Sequence, residues 1–213
     1  MDAVIENLGI DLIREHGDVT LRALEKLSAR TAIKAAASLA RAGDIDHLGG
    51  GLELIPALQM TLACVDYDRT HFTIEHGHTS IGYYGVLTTL GFLDEARVVD
   101  GFRRSLDIAG HVSWIPGGSP IGSGRLGITV PATAGWALGL KAAHGADSFV
   151  ICHCGDAGWV SGQALNGLIT ASLHKAPMTL VVMPEECQSM PMTQPNDWNQ
   201  NGCARRRSSS SRP

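Results

Sequence analysis

Aromatic residues make up only 5% of this 213-residue chain. Gly, His, Asp or Lys interrupts every apolar run well before the roughly 20 residues that a bilayer-spanning helix needs. A helical membrane protein is thereby excluded as a reading, and the chain is expected to be soluble. Positive charge is not in excess: 17 Lys and Arg stand against 21 Asp and Glu, a formal net charge of −4. That balance gives no electrostatic reason for a nucleic-acid or anionic-membrane partner. The opening MDAVIENLGIDLIREHG lacks the early basic region of a secretory leader, so the cytoplasm is the expected location. Cysteine is sparse and odd in number, and Cys64, Cys152, Cys154, Cys187 and Cys203 form no disulfide framework. Cys152 and Cys154 share a face if the run around them is a strand, which makes a metal pair geometrically possible. With no second Cys-x-x-Cys or matched His pair, buried small hydrophobes are the preferred reading over zinc.

What is present is enough apolar matter, 44% of residues, for one α/β domain with a substantial core. Residues 2–15 and 19–43 have helical spacing, the second stretch ending at Gly43. LELIPALQMTLACV reads as a further helix, with Gly49, Gly50 and Gly51 as a loop at its start and a place for an anion. HFTIEHGHTSIGYYGVLTTLGFL predicts a short extended piece, a turn at Gly77 and a helix, with His78 near the helix start. GHVSWIPGGSPIGSGRLG is too rich in Gly, Pro and Ser for a regular element and too apolar for a disordered linker, which suits a binding loop. ITVPATAGWALGLKAAHG then predicts a close-packing helix of small residues.

SFVICHC, VSGQALNGLITASLHK and MTLVVM read as buried strand, helix and buried strand, a βαβ unit with parallel strands adjacent or nearly so. Asp156 and Glu186 each lie just past one of these strands and are expected to converge at the sheet edge where open α/β folds bind ligands. Two carboxylates beside a glycine-rich turn suit a divalent cation bridging to a phosphate. The plainer reading makes Asp156 a helix cap and Glu186 a solvated loop residue. The last stretch, ending ARRRSSSSRP, is low in complexity and is expected to be disordered.

Taken in order from about Leu48 to Gln188, four motifs resemble the N-terminal, diphosphate-binding part of transketolase and its thiamine-diphosphate relatives. DHLGGGLELIPAL is similar to an early His-x-Gly-Gly helix start, and FTIEHGHTSIGYYGVLTTLGFL to a Lys-Gly-His-Ala segment. GHVSWIPGGSPIGSGRLG is similar to Gly-His-Pro followed by Gly-x-Leu-Gly, and GDAGWVSGQALNGLITASLHK to the Gly-Asp-Gly cofactor motif.

The resemblance implies a three-layer α/β/α domain with a mainly parallel sheet, the thiamine-diphosphate-binding fold, over 46–192, after a helical lead-in over 1–45 and before a tail over 193–213. It implies that His47, His78 and His111 line the channel where cofactor and sugar meet. Gly124 and Leu126 would face the thiamine ring, and Gly155, Asp156 and Ala157 would take the diphosphate. Asp156, Glu186 and the carbonyl of Gln188 would hold Mg²⁺ or Ca²⁺. The implied reaction moves a two-carbon ketol unit between sugar phosphates. A partner, a C-terminal transketolase-like subunit with the pyrimidine-binding domain, would complete a hetero- or homo-oligomer, because that domain and the later strands of this one are not in the chain.

Three departures from the family pattern stand out: Ala157 replaces the third glycine, Glu185 and Glu186 replace Asn-Asn, and His76 replaces Lys. The Cβ of Ala157 would crowd a diphosphate if its backbone has positive φ. A non-catalytic subunit that keeps the fold is the alternative these departures leave open. A zinc site on His71, Glu75, His76 and His78 is a third reading, without the helical His-Glu-x-x-His spacing.

Overall fold

A computed structural model describes Glu15, residues 17–44 and residues 47–183. The expected helix over 2–15, the acidic pair at 185 and 186, Gln188 and the tail over 193–213 lie outside the described residues, apart from Glu15 itself. The elements run α1 (Asp18–Arg41), α2 (Leu48–Leu62), β1 (Thr70–Ile74), a 3₁₀ turn (Gly77–Thr79), α3 (Ser80–Thr89) and α4 (Glu95–Gly101). After an irregular stretch come α5 (Thr129–His144), β2 (Phe149–Gly155), α6 (Asp156–Trp159), α7 (Gly162–His174) and β3 (Met178–Met183). Gly43, with φ 84°, stands just beyond α1, as its helix-stop position predicts.

The described sheet has three strands in the order β1-β2-β3, all parallel. Strand alternation sends Phe72, Ile74 and Ile151 to one face, where α1, α2 and α3 cover them. It sends Val150, Cys152 and Cys154 to the other face, against α5 and α7. The chain is thus the three-layer α/β/α domain expected, and the βαβ unit is β2, α7 and β3. One detail differs: β3 is half-buried instead of buried, because it lies at the margin of the described sheet with only β2 beside it.

The glycine triplet also differs from expectation. Gly49, Gly50 and Gly51 form the first turn of α2 and not a loop before it. The reason is tertiary: a Cβ on Gly82 of α3 would run into the Gly51 carbonyl, and one on Gly51 would run into Ile81. A Cβ on Gly85 would come within 2.6 Å of the Ser28 carbonyl of α1. Backbone contact on both sides buries α3 from Ser80 to Leu87, and close packing outweighs the poor helix propensity of glycine.

Candidate active site

The carboxyl ends of β1 and β2 meet at one edge of the sheet, where Glu75 N donates to the His153 carbonyl at 2.7 Å and extends the pairing past Ile74. Glu75 and His76 leave β1 there, and Gly155 and Asp156 leave β2. The α2 and α3 starts reach the same edge. Their shared crossing at Gly51 and Gly82 sets His47 edge-on to His78, with ring centroids 5.1 Å apart. His76 and His78 are 6.1 Å apart.

His111 arrives from the irregular stretch 102–128. Val112 N donates to the Gly77 carbonyl at 3.1 Å, and the buried Tyr84 hydroxyl donates to the His111 carbonyl at 3.0 Å. A Cβ on Gly77 would come within 3.0 Å of the His111 ring and would strike Ser123 Oγ, so only glycine lets these segments close. His47 thus lies against His78 and His111 against the neighbouring Gly77, and His47 and His111 remain exposed.

Gly155 is extended and Asp156 starts the short α6, so the motif Gly155–Ala157 turns at the edge as a strand-to-helix corner. Ala157 is helical and is not among the residues with positive φ, which removes the backbone objection to a Cβ at that position. Gly124 and Leu126 are exposed, and a Cβ on Gly124 would meet nothing within 4 Å. Of the proposed metal ligands, Asp156 is half-buried at this corner, while Glu186 and Gln188 lie outside the described residues.

Burial sets the protonation states. His76 is only 3% exposed, and desolvation, with the His153 and His78 rings beside it, lowers its pKa to about 3 against a weak pull from the His153 carbonyl. His153, paired through Nε2 with Thr61 Oγ1 at 2.9 Å, is lowered to about 4 by burial. Both are neutral at pH 7. Burial raises the thiol pKa of Cys152 and of Cys154, so both are protonated, small and apolar at neutral pH, in keeping with their place in the core. His71 instead lies against Trp136, ring centroids 4.5 Å apart. Among the described residues no group of three His, Cys, Asp or Glu could hold a metal ion, so His71, Glu75, His76 and His78 do not make the zinc site that their crowding suggested. No described helix is long and apolar enough to cross a membrane.

Four residues at the edge have roles that sequence reasoning did not assign: Glu75, Ser123, Gly127 and Gly158. Glu75 is fully buried, a position a lone carboxylate rarely takes without partners. Its carboxylate accepts from Gly127 N and, at 3.4 Å, from Cys154 Sγ. Its charge at the end of an apolar strand was the available signal.

A polar ligand fits this edge. Both ring nitrogens of His76 and Ser123 Oγ are buried without a hydrogen-bond partner among the described residues, whereas buried polar atoms are ordinarily satisfied. No curated protein matches the chain. Residues 103–212, just over half of the chain, match the family described as thiamine pyrophosphate enzyme, C-terminal TPP binding domain. That stretch holds the irregular loop, the Gly155–Ala157 corner and β2 through β3, and the chain belongs to the thiamine pyrophosphate enzymes through this TPP-binding domain.

Proposed function

We propose that the chain is the diphosphate- and metal-binding half of a transketolase-like enzyme, one that moves a two-carbon ketol unit between sugar phosphates. The observation that carries this reading is the approach of His47 to His78 and of His111 to Gly77, on the segment whose His76 lies against Gly155 of the Gly155–Ala157 corner. When bound, the thiazolium ring of thiamine diphosphate supplies the electron sink that breaking a carbon-carbon bond beside a carbonyl requires. Asp156, with Glu186 and the Gln188 carbonyl, would hold Mg²⁺ or Ca²⁺ against the diphosphate; Gly155 and Ala157 would contact it, and Gly124 and Leu126 would face the thiamine ring.

His47, His78 and His111 would bind the hydroxyl and phosphate oxygens of a sugar phosphate and exchange protons with its hydroxyls. His76, neutral at pH 7, offers one donor and one acceptor where the family pattern has a permanently charged Lys. In this reading, a partner subunit with the pyrimidine-binding domain supplies the glutamate that activates the cofactor.

Calorimetry of thiamine diphosphate with Mg²⁺ on the full chain and on Asp156→Ala, each with and without a pyrimidine-domain partner, tests the assignment. Mg²⁺-dependent binding that Asp156→Ala weakens at least tenfold supports it. Absence of binding in both settings would instead favour the subunit that retains the fold without the chemistry.

A further inference from the structure

Glu75 is held from three sides at the edge, by Gly127, Cys154 and Gly158. One carboxylate oxygen accepts from Gly127 N, which fixes the end of the 124–127 segment. The other accepts from Cys154 Sγ at 3.4 Å, one residue before the Gly155–Ala157 corner. Gly158, in the last turn of α6, lies directly on the carboxylate, so that any side chain there would run into it. Gly127 has φ 85° and is itself closed against Ser161, the N-cap of α7. The end of β1, the segment facing the site and the α6 corner therefore meet on a single buried carboxylate. All its hydrogen-bond donors are neutral, and burial raises its pKa while the Gly127 N–H and the Cys154 thiol offset part of the rise.

The geometry points to Glu75 as the positioning residue of the cofactor edge: its carboxylate ties the 124–127 segment and the α6 corner to β1, so that both present their backbone to the ligand in a fixed relation. This deepens the reading of that corner as the thiamine diphosphate site and rests on it. Glu75 touches no reacting atom; it acts through Gly127 and Gly158. An acceptor of the right length is the required property. Gln keeps an acceptor oxygen for Gly127 N. Met keeps the bulk and removes the acceptor, leaving the buried Gly127 N–H without its partner while the Cys154 thiol turns to the Gly155 carbonyl.

The test compares the full-length chain with Glu75→Gln and Glu75→Met by two measurements on the same samples. One is the calorimetric affinity for thiamine diphosphate with Mg²⁺. The other is hydrogen exchange at the Gly127 amide, which needs no cofactor. We expect Glu75→Met to speed Gly127 exchange at least tenfold and weaken the cofactor at least thirtyfold, with Glu75→Gln within about fivefold of wild type in both. If Glu75→Met does not fold, Glu75→Asp, one methylene short of both donors, takes its place with the same expected losses. Unchanged Gly127 exchange in the acceptor-shortened or acceptor-free variant overturns the inference, as does a Gln variant no better than Met. A wild-type chain that binds no cofactor but shows the Gly127 exchange pattern would sink the cofactor reading and leave the clamp standing.

Discussion

The two faces of the sheet are built from different materials. Against Phe72, Ile74 and Ile151, the helices α2 and α3 bring Leu54, Leu58, Leu62, Ile81 and Tyr84, all 1% exposed or less. Against Cys152 and Cys154, the facing helices bring Val130 and Ala164, with the Thr73 and Thr133 hydroxyls bonded at 2.7 Å beside them. On that side α7 turns Leu165, Ile169 and Leu173 outward, the last 75% exposed. Large apolar side chains carry the stability of the first face. The second is made of small residues, and small residues are what let Gly127, Gly158 and Ser161 bring backbone to the site.

The comparison is broken first at its strong side. Phe72→Ala should cost about 3–5 kcal/mol in urea unfolding, the usual range for emptying a buried aromatic position. If the loss is under about 1 kcal/mol, the first face is not the stabilising one.

Acid should also act through that face, where His153 is buried beside Thr61. His153 and His76 hold their protons less tightly folded than unfolded, with folded values of about 4 and about 3. The unfolded chain therefore takes protons first, and stability present above about pH 6.5 falls as pH drops toward those values. The fall at pH 5.5 is about 1.4 kcal/mol per buried histidine. Glu75, whose pKa is raised by burial, gains its proton first in the folded state and offsets part of the slope. Unfolding of wild type and His153→Gln between pH 7.5 and 5.5 isolates one histidine, since Glu75 is common to both. The variant should lose about 1.4 kcal/mol of the fall over that window, the slope difference reaching about one proton only near pH 5.5, and parallel curves would show that His153 is not held neutral.

The smallest effect belongs to the second face. Leu173→Ser should change stability by no more than about 0.5 kcal/mol, because the side chain is exposed. A loss of 2 kcal/mol or more, about the size of burying a leucine, would mean that this surface is covered in solution.

Periodicity made most of the fold legible. The strand at SFVICHC, the helix after it and the parallel partner at MTLVVM follow from local pattern and from the handed βαβ rule. The glycine triplet misled because local propensity reads Gly as loop, while the contact that decides it, Gly51 on Gly82, lies 31 positions away. The half-burial of β3 escaped notice because an apolar run looks alike at the centre and at the margin of a sheet. Within the site, the corner at Gly155 and Asp156 was readable from its strand and the residues after it. The approach of His47 to His78 had no local signal, and only the family resemblance pointed to it. Glu75 was visible as an odd charge, but its use depends on partners at 127, 154 and 158.

The pairing of β1 with β2 has a consequence for how the chain folds. Thr70 is in register with Phe149, 79 positions on, whereas α1, α2 and α3 assemble within residues 18–89. Closing so long a loop costs entropy before any strand contact returns it, which slows the formation of pairings distant in sequence. The helical layer should therefore acquire amide protection in refolding before the sheet does, and pulse-labelled exchange can time the two. Because the edge with His76 and Asp156 exists only once β1 and β2 are paired, binding competence should be the last property the chain gains and, on unfolding, the first it loses.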